Sequence, residues 1–87
     1  MHLKYMLETM ELEDKIVVVP VGEDADEFRG IMKVNEVGAT ILDLLKQDIS
    51  ENEIVNHLYD EYDISKELLA KEVNEFVETL NEKGLLV

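Results

Sequence analysis

Residues 49–69, with the sequence ISENEIVNHLYDEYDISKELL, contain two helix starts in close succession. Ser50 and Glu53 form a capping box, in which the serine accepts from a backbone amide of the first turn and the glutamate bonds back to the cap. Ser65 supplies a second N-cap. Two capped helices separated by only two residues are typical of a helix-turn-helix. The predicted helices span residues 51–62 and 66–83.

A further helix is predicted before these two. Asn35 is a favourable N-cap, and the apolar spacing after it indicates a helix over residues 36–47. Gly38 weakens its first turn unless close packing requires a residue without a side chain. Each of the three helices carries an apolar stripe that we expect to be buried. The stripe residues are Val37, Ile41, Leu44 and Leu45, then Ile54, Val55, Leu58, Tyr59 and Tyr62, and last Leu69, Val73, Phe76 and Leu80.

The end of the last helix is also marked in the sequence. Gly84 follows it where a left-handed residue commonly ends a helix. Leu85 can then contact Leu80, which predicts a Schellman motif.

Upstream of residue 35 the periodicity changes to that of strands. The β-branched run over residues 15–21 is apolar on both faces, which favours a central strand, although Pro20 must then lie at its end or at a bulge. Glu13-Asp14 predicts a tight connection to the preceding strand, in which Met6, Met10 and Leu12 share one face. Such short connections favour an antiparallel meander with the last strand at an edge. The predicted strands span residues 6–12, 15–21 and 29–34. The predicted fold class is α+β, a winged helix-turn-helix-like domain over residues 1–87.

Charge disfavours two classes of partner. The 87 residues include 8 Lys and Arg against 21 Asp and Glu, so the net charge is −13, while a hydrophobic share of 46 % supports a folded core. The net charge is −4 over residues 1–34 and −9 over residues 35–87. Proteins that bind nucleic acids or anionic membranes use clustered Lys and Arg. We therefore expect neither as a partner.

Several other classes are excluded by composition. The absence of cysteine rules out disulfides, thiolate zinc sites and iron–sulfur clusters. No apolar run approaches the roughly 18 residues of a membrane-spanning helix. The first five residues lack the basic-then-apolar pattern of a signal peptide. We therefore expect a cytoplasmic protein.

The sequence contains no recognisable catalytic motif. Its four glycines are scattered at positions 22, 30, 38 and 84, so no phosphate-binding loop is formed. His57 lies four residues from both Glu53 and Glu61, a spacing that could bind a metal weakly. An exposed histidine between two acids is the simpler interpretation. We expect no catalytic residue, no cofactor and no metal site.

Residues 31–86 contain three groups of residues in a characteristic order. They are Val34-Asn35 with Gly38-Ala39 and Ile41-Leu42-Leu44-Leu45; Glu53-Ile54 with Leu58 and Tyr62; and Glu72-Val73, Phe76-Val77, Leu80 and Gly84-Leu85-Leu86. Together they resemble the PqqD-like family, small domains also called RiPP recognition elements, which bind the leader segment of ribosomally made precursor peptides. The family usually has a small acidic or glycine turn before the second helix, where this chain has Lys46-Gln47-Asp48.

The resemblance implies a single non-catalytic peptide-binding domain, a peptide chaperone. Its partners would be a precursor peptide and a modifying enzyme, such as a radical SAM enzyme. The leader would add as a strand along the third strand, in a groove closed by the third helix.

The strand pattern supports such a site independently. An edge strand over residues 29–34 has spare backbone N–H and C=O groups that an extended peptide can satisfy. Its Arg29 and Lys33 also suit an idle edge that is protected by charge. On the third helix, one flank carries the small or apolar Ala70 and Val77, and the opposite flank with Leu68 and Glu72 is the alternative wall. The predicted peptide-binding residues are Arg29, Gly30, Ile31, Met32, Lys33 and Val34 of the strand and Lys66, Ala70, Asn74, Val77 and Asn81 of the helix.

Two other functions fit a fold of this kind. One is a winged-helix transcriptional regulator, whose recognition helix would be residues 66–83. That helix holds five acids against three bases, which opposes contact with phosphates. The other is an interaction subunit that binds a protein and no leader peptide.

We predict no binding to duplex DNA at physiological salt, because the helical part of the chain has a balance of −9. Fluorescence anisotropy with a labelled duplex should show no saturable signal at micromolar protein. Submicromolar binding that weakens steeply with added salt would contradict this prediction.

Overall fold

The computed structural model describes residues 1–22 and 32–87. Three strands are followed by three helices, so the predicted α+β class is confirmed, and the helix-turn-helix arrangement is compatible with a winged-helix fold. The elements are β1 (Leu7–Leu12), β2 (Lys15–Pro20), β3 (Met32–Val34), α1 (Glu36–Leu44), α2 (Glu51–Glu61) and α3 (Lys66–Glu82).

The three strands form one antiparallel sheet in the order β1-β2-β3. The predicted meander with the second strand in the centre is therefore confirmed. Glu13 occupies the left-handed region at φ 57° in the two-residue hairpin turn. Pro20 ends β2, opposite Leu7, as its missing N–H requires.

One face of β1 differs from the other in burial. Leu7 is 3 % exposed and belongs to the core, whereas Met6, Met10 and Leu12 are about half exposed or more. Residues of a strand alternate between the two faces of the sheet, so the side that holds Leu7 faces the helices. The three other residues share a face, as predicted, and that face is the outer one.

The helices begin where the capping residues predict. The Ser50 hydroxyl accepts from the Glu53 N–H at 3.1 Å, and the Glu53 carboxylate accepts from the Ser50 N–H at 3.2 Å. Asn35 and Ser65 cap α1 and α3 by accepting from the third residue after each. These side chains satisfy amides that have no partner within a helix.

The end of α3 is the predicted Schellman motif. Gly84 adopts φ 72°, and the Leu85 N–H donates to the Leu80 carbonyl at 3.0 Å. Leu85 is 2 % exposed, so this cap also adds a leucine to the core.

Helix α1 is shorter than predicted, ending at Leu44 rather than at residue 47. The N–H groups of Lys46 and Gln47 donate to the carbonyls three residues earlier, which tightens the chain into a turn. Lys46 then reaches back to β1, with its ammonium 3.1 Å from both carboxylate oxygens of Glu8. That hydrogen bond is the main cause that raises the pKa of Lys46 above its ordinary value.

The core is built from the predicted stripes, with corrections. Tyr59 is 50 % exposed and lies outside the core, and its ring lies under the ammonium of Lys66, 5.2 Å from the ring centroid. Four stripe residues are half-buried at the edge of the core rather than buried in it, namely Val37, Leu44, Tyr62 and Phe76. Leu42 joins the core although the stripe did not include it. Within the described ranges, no helix has the length and apolar content to cross a membrane.

We predict that Leu69→Ala lowers the free energy of unfolding by about 2–5 kcal/mol, because its side chain is fully buried in the core. Leu68→Ala is the matched control on the same helix, since Leu68 is 48 % exposed. Urea unfolding followed by circular dichroism measures both. Equal losses for the two variants would show that the face assigned to α3 is wrong.

Candidate functional site

The free edge of β3 is the first component of the site. Among the described residues, β3 pairs only with β2, through Ile16 opposite Val34, Val17 opposite Lys33 and Val18 opposite Met32. The other side of β3 therefore has backbone groups without a strand partner.

The hydrogen-bond pattern along β2 shows which residue of β3 holds those groups. The N–H of Val21, just after β2, donates to the Met6 carbonyl at 3.0 Å. In an antiparallel sheet, every second residue of a central strand forms both of its backbone hydrogen bonds with one neighbouring strand, and the residues between them bond to the other neighbour. Because Val21 bonds to the side of β1 and the strands pair without a bulge, the odd-numbered residues of β2 hydrogen-bond to β1 and the even-numbered residues to β3.

This pattern assigns the open backbone groups to Lys33. Met32 and Val34 lie opposite even-numbered residues of β2 and direct their N–H and C=O groups to that strand. Lys33 lies opposite Val17, whose backbone groups bond to β1, so the N–H and C=O of Lys33 face the open edge. The sequence alone left this choice open because it did not fix the register.

The side chains of β3 divide between the two faces of the sheet. Met32 and Val34 are half-buried and pack against the core, whereas Lys33 is exposed on the opposite face. An extended chain added beside β3 would alternate in the same way.

Gly38 of α1 lies close to both Val34 of β3 and Phe76 of α3. A Cβ atom at this position would lie 3.1 Å from the Val34 Cβ and 3.0 Å from a ring carbon of Phe76. Both distances are shorter than ordinary carbon–carbon contacts. The glycine that weakens the first turn of α1 therefore lies where a larger residue would have to shift a neighbour.

A groove of about 330 Å³ runs between α1 and α3 from this junction. Its lining is mixed, and the side formed by α3 carries two carboxylates. The lining residues are Asn35, Val37, Gly38 and Ile41 from the α1 side and Glu72, Glu75, Phe76 and Thr79 from α3. A second depression, of about 410 Å³, adjoins β3 at Asn35, and its charged lining residues are Asp14, Lys15, Lys33 and Glu36.

Two of the helix residues in the predicted peptide-binding set contact α2. Asn74 donates to the Glu51 carboxylate at 3.2 Å, and Lys66 lies over Tyr59, so both contact α2. Ala70 and Asn81 are exposed on that same flank, and Val77 is half-buried. The opposite flank, which includes Glu72, lines the groove. Arg29, Gly30 and Ile31 lie outside the described residues.

Sequence reasoning found the groove residues of α3 only in part. It named Glu72 in the alternative wall, assigned Phe76 to the core stripe and did not single out Glu75 or Thr79. The available signal was Gly38, since a glycine in a first helical turn indicates a close neighbour. Nothing in the sequence states which element that neighbour belongs to.

The same residues offer little to acid–base or metal chemistry. Within residues 1–22 and 32–87, no polar or charged side chain is buried, and no three His, Asp or Glu side chains converge on a common point. His57 is exposed on α2, away from the groove. This site is therefore suited to binding a partner through backbone hydrogen bonds and side-chain contacts.

Comparison with known proteins gives one family and two structures of the same fold. The family model described as Coenzyme PQQ synthesis protein D (PqqD) matches residues 14–86. TbiB1, solved in complex with the TbiA(beta) leader peptide, has a TM-score of 0.70 at 21 % identity, over 99 % of this chain and 94 % of that one. Lasso peptide synthetase B1, complexed with the leader peptide, has a TM-score of 0.67 at 18 % identity, over 97 % and 93 %. No curated protein sequence matches.

We predict that Gly38→Ala lowers the free energy of unfolding by about 1 kcal/mol, because overpacking costs more than the gain in helix propensity. The added methyl group must displace Val34 or Phe76. The loss should shrink in a Phe76→Leu background, as a double-mutant cycle of urea unfolding would measure. A Gly38→Ala variant as stable as the parent would show that β3, α1 and α3 can adjust to the methyl group at no cost in free energy.

Proposed function

This chain belongs to the PqqD family, and we propose that it binds the leader segment of a ribosomally synthesised precursor peptide and presents the precursor to a modifying enzyme. The observation that carries the proposal is the open backbone edge at Lys33 beside a groove closed by α3. TbiB1 and lasso peptide synthetase B1, whose folds resemble this one, were each solved with a leader peptide.

The leader adds to the sheet as a fourth strand. Its backbone pairs with the N–H and C=O of Lys33, so these bonds give affinity with little dependence on sequence. Arg29, Gly30 and Ile31 precede β3 in the chain and extend the predicted pairing edge. Specificity then comes from the side chains of the peptide, which alternate between the helical side and the outer side of the sheet and contact the residues on each side.

The groove between α1 and α3 receives the side chains that face the helices. Gly38 leaves the floor open, while Phe76 supplies an apolar wall and Glu72 a charged one. We place the peptide-facing wall of α3 on this flank. Lys66 and Asn74, which the sequence favoured, are engaged with α2.

The proposed role requires no chemistry by this chain. Holding a precursor beside a modifying enzyme raises the local concentration of substrate, which increases the rate without a new contact at the reacting atoms. A radical SAM enzyme is one class of partner that fits this role. For so short an added strand we expect affinity on the order of micromolar.

Transcriptional regulation is not favoured by the same structure. Helix α3 would have to enter the DNA groove, yet the flank that lines its open groove presents Glu72 and Glu75. Carboxylates at that position repel phosphates.

We predict that Lys33→Pro abolishes peptide binding while the protein still folds. The variant removes an outward-facing donor and no hydrogen bond of the β2–β3 pair. Met32→Pro is the matched control, because it removes a donor that faces β2 and should therefore destabilise the sheet. The probes are synthetic peptides that tile the short reading frames beside the gene, followed by fluorescence anisotropy, with folding checked by circular dichroism.

Amide hydrogen exchange gives an independent reading of the same site. The Lys33 amide should exchange rapidly in the free protein and slow on addition of a bound peptide, whereas the Met32 and Val34 amides should be protected in both states. A folded Lys33→Pro variant that binds as tightly as the parent would overturn the proposal. So would a bound peptide that leaves the Lys33 amide unprotected.

A further inference from the structure

Charged side chains lie on both sides of the open edge of β3. Lys33 and Lys15 lie on the outer side, in a depression that Asp14 and Glu36 also line, and Glu72 and Glu75 line the groove. In the part of the chain that the structure describes, Lys15, Lys33, Glu72 and Glu75 have no oppositely charged partner within 4.0 Å.

The two lysines share the outer face of the sheet. Lys33 lies opposite Val17, and Lys15 is two residues from Val17 on the same strand, so all three side chains point away from the helices. Val17 is 6 % exposed and lies between charged neighbours that are themselves exposed. A side chain added beside Lys33 on this face therefore meets the ammonium group of Lys33 first.

The two glutamates belong to the helical layer. Glu72 is half-buried and Glu75 exposed, and both line the groove whose floor includes Phe76. A strand added beyond β3 directs its inward side chains towards this layer. Those side chains meet the ring of Phe76 and the two carboxylates.

From this arrangement we infer that the leader segment alternates in charge along its length. The residue paired with Lys33 is acidic and faces outward, and the residues on either side of it face the groove and are apolar or basic. The inference rests on the proposed function and specifies its substrate. Opposite charges in cross-strand pairs attract, and like charges directly opposite are destabilising.

Alternation of this kind also fixes the register of the added strand. A slip of one residue moves every side chain of the peptide to the other face. Acidic residues would then face Glu72, and basic residues would face Lys33. The backbone bonds at Lys33 would be unchanged by the slip, so the charges on the two sides decide which register is bound.

The test uses selection from a displayed library of random dodecapeptides with the full chain as the target. Peptides enriched on the parent protein should carry Asp or Glu at one position and Lys, Arg or apolar residues at the positions directly before and after it. Replacing the central acid by Lys in a selected peptide should weaken binding by up to about fivefold.

Charge-reversal variants assign each preference to its residue. Lys33→Glu should replace the central acidic preference by a basic one and leave the flanking positions unchanged. Glu72→Lys combined with Glu75→Lys should turn the flanking preference to Asp or Glu and leave the centre unchanged.

Matched controls hold the net charge constant. Lys4→Glu reverses an exposed lysine before β1, and Glu67→Lys with Glu78→Lys reverses two exposed acids on the side of α3 away from the groove. Neither control should change the selected pattern. If the controls change it as much as the edge variants do, the overall charge of the protein sets the preference and the inference is wrong.

The failure of this inference differs from the failure of the proposed function. Selected peptides that protect the Lys33 amide but show no alternation of charge would overturn the inference and support strand addition. Selected peptides that leave the Lys33 amide unprotected would overturn both.

Discussion

The close approach of β3, α1 and α3 at Gly38 sets the geometry of the whole site. Val34 and Phe76 both come within about 3 Å of the place where a side chain would begin. Without this contact α3 would lie farther from the sheet, and the space beside the free edge would be open solvent rather than a groove. The local cost is a glycine in the first turn of α1, which the hydrogen bond from the Gly38 amide to Asn35 partly offsets.

The edge that this contact leaves open is a liability in most proteins. Unpaired backbone groups at a sheet edge can pair with any extended chain, and proteins limit this with short strands and outward charges. Strand β3 has three residues, and its exposed position is a lysine. The same two features suit the proposed site for a short peptide, because within β3 the backbone of Lys33 offers an open donor and acceptor.

The effect of the negative charge on binding depends on where the carboxylates lie. Most carboxylates lie on exposed faces, where water screens them, and they exclude nucleic acids as a class. Glu72 and Glu75 differ because they line the groove beside Phe76, where a bound peptide would displace water and strengthen their interactions. Local placement therefore matters more than the total charge in deciding what this groove accepts.

The sequence by itself determined the elements, because capping residues, turn residues and apolar periodicity are local signals. Ser50, Asn35 and Gly84 mark helix ends through hydrogen bonds and dihedral angles within a few residues. The antiparallel order of the strands also followed, since short connections leave few alternatives. The predicted helix α1 was too long, which shows the limit of such signals. In the turn that follows Leu44, Lys46 forms a hydrogen bond with Glu8 of β1, a residue far away in the sequence.

Tertiary packing determines which parts of these elements line the groove. Both flanks of α3 border its core face, and the sequence favoured the one with Ala70 and Val77 because it is less polar. The packing of α2 against Lys66 and Asn74 turned the other flank towards the groove. Likewise, the open amide of Lys33 follows from the register of β2 and β3, which depends on pairing between residues that are distant in the chain. Contacts of this range are set by how the elements pack, and no local pattern of residues encodes them.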